Sequence, residues 1–303
     1  MKSSIITILT LVLCISTLVA NDGLGDKLKD ISEQNVKGYL QPLVNTVGAG
    51  LNAGFFTSAK TLPTFMPNIR INMVGVSVPS GDKKFIAMSP DDELWENVET
   101  ATVLGNKGKR FPTVDGNDIP SFTLPDGADL SLIPVPAVTA SLGLPLGSEI
   151  SVKFLPSVEI SKDLGSVSMW GVGLKHSIDQ YLTDYFPVHI AIQGVYQSMK
   201  LTDFVDVKTF TMNIHTSKKI FILTLYGGIG IESADFDVKY TYHEKVAEGD
   251  TGTDITIKKS LSAENDVKLT LGGKLSPLPF VAIFADYNIA NYNSFNVGLE
   301  IGF

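Results

Sequence analysis

The sequence predicts an all-β fold: one antiparallel transmembrane β-barrel of about 12 strands (about 10 to 14), behind a short N-terminal helical segment. Three observations predict it. Apolar residues recur at every second position along much of the 303-residue chain, short and long joints alternate between these stretches, and the N-terminus carries an export signal. Because side chains of a strand point alternately to opposite faces, each stretch has one apolar and one polar face.

The N-terminus has the pattern of a secretory signal peptide over residues 1–20. Lys2 provides a basic start, residues 5–19 form a short apolar run, and Ala20 is a small residue before polar sequence. The single cysteine, Cys14, lies within this run, so the exported chain needs no disulfide. The sequence therefore predicts export to the bacterial outer membrane. The net charge of -8 argues against a nucleic-acid partner.

Residues 21–48 precede the first strand candidate and have apolar residues at roughly helical spacing. The segment has too little apolar surface to fold alone, and it is not apolar enough to cross lipid. We expect it to plug the barrel by packing inside or under the lumen; the alternative is a mobile periplasmic tail. The candidate plug residues are Leu40, Leu43, Val44 and Val47.

Residues 49–303 are predicted to form the barrel. A first strand is expected at residues 51–59 and a second at residues 68–78, where the apolar parity slips between Met73 and Val74 and predicts a bulge beside Gly75. Residues 79–130 contain only one short strand candidate, at residues 83–88. Clear alternation returns at residues 149–154, 188–197, 209–215, 221–232, 267–272, 281–289 and 294–303.

The polar faces of these stretches predict a charged lumen. Glu149 and Lys153 lie about 13 Å apart on one strand face, so their partners must come from neighbouring strands. Mixed charge in a narrow barrel forms ion pairs that block the lumen, which favours a plugged barrel over a wide pore. The candidate lumen-facing residues are Glu149, Lys153, Lys175, His189, Gln193, His215, Glu232, Lys268, Lys274, Asp286 and Glu300.

The last ten residues, SFNVGLEIGF, alternate strictly and end on an aromatic residue. This pattern resembles the C-terminal signal of bacterial outer-membrane barrels, and the resemblance implies that the barrel-assembly machinery reads the last strand. The matching positions are Phe295, Val297, Leu299, Ile301 and Phe303. The last strand must also close the barrel against the first, because an open edge in lipid leaves backbone groups unpaired.

Four longer stretches extend the resemblance over nearly the whole exported chain: QPLVNTVGAGLNAGFF, LGLPLGSEISVKFLPSVEI, WGVGLKHSIDQYL and FADYNIANYNSFNVGLEIGF. They resemble an uncharacterised family of outer-membrane barrels from the Bacteroidota, which implies a barrel but no known activity. More remotely, the layout is similar to the long-chain fatty-acid channel family, in which an N-terminal segment plugs the barrel.

No motif predicts catalysis, a cofactor or a metal. The histidines His176, His189, His215 and His243 form no H-x-x-x-H pair and adjoin no G-x-S-x-G turn.

The sequence thus favours a plugged outer-membrane channel for a small molecule, with a hydrophobic ligand and membrane lipid as expected partners. The alternatives are a non-transporting scaffold barrel and, third, an outer-membrane hydrolase. A filled lumen would favour the scaffold. A Ser–His or Asp–His pair at the outer rim would favour the hydrolase.

Overall fold

The computed structural model describes residues 33–114, 123–161, 165–182, 187–201, 205–244 and 253–302, which form one α-helix and 13 strands. The signal peptide predicted at residues 1–20 lies outside the described residues. Helix α1 spans Glu33–Leu51. The strands are β1 (Pro67–Ser77), β2 (Lys84–Ala87), β3 (Val98–Ala101), β4 (Leu132–Leu144), β5 (Ser148–Ser161), β6 (Gly165–Ser177), β7 (His189–Leu201), β8 (Val205–Ile220), β9 (Leu223–Glu244), β10 (Thr253–Ser262), β11 (Val267–Leu278), β12 (Val281–Ile289) and β13 (Ser294–Gly302).

Within this described part, ten antiparallel strands close the wall of a barrel. Their order is β9, β11, β12, β13, β1, β4, β5, β6, β7 and β8, and β8 pairs with β9 again. The last strand closes against the first, with Leu299 opposite Ile71. Strand β10 is additional: its Leu261 pairs with Phe236 in the second half of β9, whereas the first half of β9 pairs with β11. The predicted barrel is confirmed, at the lower end of the expected strand range.

The wall has an apolar exterior and a polar interior. Along β8 the exposed side chains Phe210, Met212 and Ile214 alternate with the buried side chains Thr211, Asn213 and His215. A water-soluble domain buries its apolar face, so this reversed polarity identifies the exterior as a lipid-facing surface. Among the described helices, none has the length and apolar character needed to cross a bilayer.

The two ends of the barrel differ in their connections. At one end, the turn end, residues 145–147, 178–188, 221–222 and 279–280 join the strands. At the other, the loop end, residues 78–131 connect β1 to β4, and β9 extends past the start of β11 to pair with β10. Strand β8 continues to Ile220, and the turn that follows it includes Phe221, which has a positive φ of 54°.

The main apolar core lies at the loop end rather than in the lumen. Leu40 of α1 packs there with Leu104 and Phe111 of the connection between β1 and β4. Strands β2 and β3 form a separate two-stranded sheet in this connection. The Tyr39 hydroxyl donates to the backbone carbonyl of Asp126 at 2.9 Å, and burial, reinforced by the Asp126 charge, raises the pKa of Tyr39. This core fixes the start of α1 outside the membrane-spanning wall.

Pairing between β4 and β5 stops partway along both strands, at Val138 opposite Phe154. Strand β4 nevertheless stays paired with β1 through Pro134 and Pro136. Proline has no backbone N–H group, so its nitrogen atom cannot take part in the hydrogen bonds that hold β4 to β1. The nitrogen atoms of these prolines must therefore point toward β5, to which they cannot donate. Two successive missing donors therefore account for the seam in the wall on the loop side of Val138.

The bulge predicted beside Gly75 does not form. Strand β1 pairs with β13 and with β4 without a register shift. The apolar parity slips for two other reasons. Val74 and Val76 point inward and pack against Ala49 of α1. The outward position between them is Gly75, where an added Cβ atom would lie 2.4 Å from the Phe295 ring. The ring thus covers the outer face at Gly75, and the strand remains regular.

The face assignment predicts different outcomes for one substitution at two sites. Leu299, 39% exposed in the middle of β13, faces lipid, whereas Leu146, 82% exposed, lies at the tip of a turn. Leu299→Arg should lower the free energy of unfolding by about 2–4 kcal/mol, because it places a charge in the bilayer. Leu146→Arg should change it by less than about 0.5 kcal/mol. Urea unfolding from lipid vesicles measures both, and equal losses would contradict the assignment.

Candidate functional site

One segment of the chain runs through the lumen from the loop end to the turn end. Asn35, near the start of α1, exchanges two hydrogen bonds of 2.8 Å with the backbone of Met88 at the loop end. The helix ends inside the wall at Leu51, and residues 52–66 lead to Pro67, where β1 begins at the turn end. Residues 52–62, which cross the lumen, are called the plug from here on.

The strand predicted at residues 51–59 does not form. Residues 52–66 pair with no strand, because both edges of β1 are already occupied, by β13 and by β4. Gly54 also has a positive φ of 74°, which interrupts an extended chain and favours glycine. The wall therefore begins at Pro67 rather than at residue 49, and the segment that precedes it extends beyond the predicted boundary at residue 48.

The four candidate plug residues anchor the helix at the loop end. Leu40 and Val44 are buried in the apolar core there, and Leu43 and Val47 pack against it. Further along, a Cβ atom at Gly50 would lie 2.6 Å from the Val135 side chain, so a small residue is required for the helix to approach the wall. These four side chains hold the helix, and the lumen itself is filled by the plug that follows.

Wall side chains donate hydrogen bonds to the backbone carbonyl groups at the start of the plug. The Lys153 amino group of β5 donates to the carbonyl oxygens of Leu51 at 3.2 Å and Ala53 at 3.1 Å. The Gln197 amide of β7 donates to the same Leu51 oxygen at 2.8 Å. These carbonyl groups lie at the end of a helix and beyond it, where intrahelical donors are missing, so the wall supplies the partners.

Two more basic residues bind the next carbonyl groups. Arg70 of β1 donates to the carbonyl oxygen of Phe55 at 2.9 Å, and Lys268 of β11 donates to that of Asn52. A buried carbonyl group without a donor costs about 1–3 kcal/mol. The basic side chains of the wall therefore make an irregular backbone stable within the barrel.

Toward the turn end, hydroxyl groups connect the plug to the wall. Thr57 donates to the Glu300 carboxylate at 2.6 Å. The hydroxyl oxygens of Ser58 and Ser217 lie 3.2 Å apart, and Ser217 also accepts from the backbone N–H of Ala59 at 2.9 Å. The plug is thus bonded to the wall over its whole passage.

Two aromatic side chains of the plug fill the middle of the lumen. Phe55 lies under the Lys153 amino group, which is 4.6 Å from the ring centroid. Phe56 stacks on the His215 ring with centroids 4.1 Å apart and meets Tyr226 edge-on at 5.9 Å. Because the wall offers few apolar partners at this level, these rings are the main apolar contacts that keep the plug in place.

The predicted lumen-facing residues lie on inward-facing positions, and His189 is at the turn-end mouth. Three ion pairs link several of them: Glu149–Lys175 at 2.7 Å and Glu232–Lys268 at 2.6 Å join neighbouring strands, and Glu300–Lys274 at 2.9 Å reaches across β12. Gln193 and His215 are buried. Asp286 accepts hydrogen bonds from Tyr226, Asn288 and Asn296.

The lumen around the plug contains little free volume. Cavities bounded by described residues measure about 10 and 40 Å³ beside Phe56, enough for a few water molecules at most. Larger cavities open at the two ends, of about 580 Å³ at the turn end beside Lys60 and Phe221 and of about 430 Å³ at the loop end beside Phe85 and Tyr292. The barrel is closed in this conformation, with an open vestibule on each side.

The sequence reasoning missed Arg70 and the plug residues after Leu51. Arg70 has the inward parity of its strand, so the polar-face criterion applied to residues 68–78 would have found it. Tyr292, beside the start of β13, is 5% exposed. It donates to Asp82 and accepts from Asn45 at 3.1 Å.

In the terminal strand, Phe295, Val297, Leu299 and Ile301 face outward, and Phe303 lies outside the described residues.

Two histidine pairs lie at the turn end. Ser148 Oγ is 2.9 Å from His176 Nδ1, but the other ring nitrogen of His176 contacts Tyr181 and Gln180, so no carboxylate orients this ring. His189 bonds Asp179 at 2.8 Å. Hydrogen bonds from Ser177, His189 and Ile190 outweigh the effect of burial and lower the pKa of Asp179. Within the described residues, no three His, Cys, Asp or Glu side chains form a metal-binding group.

A family model described as "Family of unknown function (DUF6588)" matches residues 1–303. No curated protein matches the sequence. Among solved structures, Ail of Yersinia pestis bound to a heparin analogue is 10% identical, with 80% of this chain and 100% of that chain covered and a TM-score of 0.26. Omp33 of Acinetobacter baumannii is 9% identical, with 79% and 98% covered and a TM-score of 0.29. The translocator domain of NalP from Neisseria meningitidis is 10% identical, with 89% and 96% covered and a TM-score of 0.28.

A disulfide can test the path of the plug. In a chain with Cys14→Ser, the pair Ser58→Cys and Ser217→Cys should cross-link on oxidation, because the two hydroxyl oxygens are 3.2 Å apart. Thr216, the neighbour of Ser217, faces outward, so the pair Ser58→Cys and Thr216→Cys serves as the matched control. Maleimide mass shifts after denaturation count the remaining thiols. Free thiols in the first pair, or equal cross-linking in both, would contradict the plug position.

Proposed function

The chain belongs to the Family of unknown function (DUF6588), and because membership brings no activity, we propose that it is a gated channel of the bacterial outer membrane, closed by its plug. The observation that carries this proposal is that ten wall strands pair into a closed ring without the plug, with a seam only on the loop side of Val138. Each wall strand pairs with a wall strand on both sides, and none pairs with the plug. Displacing the plug would therefore leave a continuous barrel around a polar lumen.

The way in which the plug is held also supports gating. Its backbone forms no strand pairing, and it is bound by side chains such as Lys153, Arg70 and Ser217. Each such bond contributes about 0.5–3 kcal/mol, and water molecules can replace its donor. A strand of the sheet could not leave in this way without exposing its backbone to lipid.

The outer membrane is the proposed location because the exterior is apolar and the connections are asymmetric. Short turns lie on the periplasmic side of such barrels and longer connections outside. On this assignment the turn end faces the periplasm and α1 starts at the cell exterior. The partners are membrane lipid and the assembly machinery, which would read the outward residues of β13. The lumen lining is polar, so a water-soluble cargo has more support than a hydrophobic one.

A non-transporting scaffold is the second candidate, and the dense filling of the lumen favours it. A rigid plug bonded to Glu300, Ser217 and Lys153 would stiffen the barrel. The barrel would then serve only to anchor the residues of the loop end in the membrane. A hydrolase has less support, because the Ser148–His176 pair lacks an orienting carboxylate and lies at the turn end. We propose no catalysis.

Loosening the plug tests the channel directly. Phe55 and Phe56 are 7% and 6% exposed, so replacing both by Ser removes the apolar contacts that hold the plug while leaving the wall unchanged. In planar bilayers this variant should conduct, whereas the wild type should stay closed. Phe65, 70% exposed, provides the matched control, and Phe65→Ser should behave as the wild type. Adding the Ser58→Cys and Ser217→Cys pair should close the loosened channel on oxidation and reopen it on reduction.

Heat-modifiable gel mobility would establish that each variant is a folded barrel before conductance is compared. A folded Phe55→Ser, Phe56→Ser barrel that conducts no more than the wild type would contradict the channel and favour the scaffold.

A further inference from the structure

We propose that Arg70 and Lys153 make the open lumen selective for small anions that carry carboxylate or phosphate groups. This inference rests on the proposed channel function and specifies the class of solute. Both side chains are buried, at 5% and 2% exposure, and both point into the lumen. In the closed state their partners are carbonyl oxygens of the plug, at Phe55 and Ala53.

The two basic residues lie at the same level of the wall. Arg70 is opposite Thr139 of β4, and Thr139 is opposite Lys153 of β5. Two strand spacings therefore separate their backbones, about 10 Å. Both side chains reach the same stretch of the plug, between Ala53 and Phe55. They thus reach the plug-filled part of the lumen from one sector of the wall.

The charges around this level do not cancel. Lys175, Lys268 and Lys274 each form an ion pair with a glutamate. Neither Arg70 nor Lys153 forms an ion pair with an acidic side chain in the part of the chain that the structure describes. The acid next to Arg70 along the wall is Glu300, which is already shared with Lys274 and Thr57.

Asp286 is the lumen carboxylate that opposes this excess. It lies opposite Asn296, which is opposite Val74. Val74 is four residues from Arg70, so this carboxylate is about 13 Å along the wall from the basic pair. It is also occupied by Tyr226, Asn288 and Asn296. The positive charge is therefore concentrated at Arg70 and Lys153.

Holding the plug does not by itself require charge at these positions. Gln197 donates to the Leu51 carbonyl at 2.8 Å with a neutral amide, and Lys153 donates to the same oxygen at 3.2 Å. Burying a charge costs several kcal/mol more than burying an amide. A role in the open state, when water and solute replace the plug, explains why basic residues occupy these positions.

The plug oxygens then stand in for the oxygens of an anion. When the plug moves away, Arg70 and Lys153 lose their carbonyl partners and face the lumen. Arginine binds carboxylate and phosphate in a bidentate manner, and rings of Arg and Lys select anions in other pores. The same two residues would hold the closed plug and select the solute in the open channel.

Reversal potentials in a KCl gradient test this proposal on the folded full-length Phe55→Ser, Phe56→Ser variant. The measured reversal potential should lie closer to the equilibrium potential of chloride than to that of potassium. Adding Arg70→Gln and Lys153→Gln should abolish this preference, whereas Arg70→Lys with Lys153→Arg should keep it. Lys208 and Lys218 face outward, so Lys208→Gln with Lys218→Gln is the matched control and should also keep the preference for chloride. Inorganic phosphate at constant ionic strength should reduce chloride current unless both basic residues are replaced.

Each outcome decides between the two claims. Absence of conductance in the loosened variant overturns the channel function and this proposal with it. Conductance without chloride preference, or with a preference that survives both Gln substitutions, overturns only the anion selectivity. If the double Gln variant does not fold, the single variants Arg70→Gln and Lys153→Gln replace it, and each should reduce the preference.

Discussion

The structure depends on the hydrogen bonds that wall side chains give to the backbone of the plug. An irregular chain inside a barrel has neither water nor a neighbouring strand to pair with, and each unpaired group would cost about 1–3 kcal/mol. Lys153, Gln197 and Arg70 supply donors to the carbonyl groups of the plug. The polar lumen is therefore what allows a non-strand segment to occupy the barrel, and the plug in turn gives the buried basic residues their partners.

This dependence explains the division of the molecule into two kinds of interior. At the loop end, α1 packs in an apolar core with Leu104 and Phe111. In the lumen, polar contacts dominate, and apolar packing is limited to clusters such as Phe55 and Phe56 against Tyr226. Apolar packing is specific to shape and costly to undo, whereas hydrogen bonds exchange readily with water. In the proposed gating, the helix would therefore be the fixed anchor and the plug after Leu51 the part of the chain that moves.

Sequence alternation was sufficient to predict the barrel, the lipid-facing residues and the polar parity of residues such as Lys268 and Asp286. It could not distinguish a strand from the plug at residues 51–59, because a local pattern does not show which strand edges are free to pair. The difference lies in the partners: both edges of β1 are occupied. The slip of apolar parity at Gly75 looked like a bulge, but it arises because Val76 packs inward against α1 and the Phe295 ring covers Gly75. Such tertiary contacts are not encoded in local periodicity.

Hydrogen exchange of the full-length protein in lipid nanodiscs tests the position of the plug most directly. Mass spectrometry of peptides covering residues 52–59 would report their amide protection, with the turn at residues 145–147 as an exposed internal reference. The amides of Asn52, Ala53 and Ala59 are bonded to Gly48, Gly50 and Ser217, so this stretch should exchange nearly as slowly as the strands of the wall. Exchange as fast as that of the turn would contradict a plug bonded within the lumen.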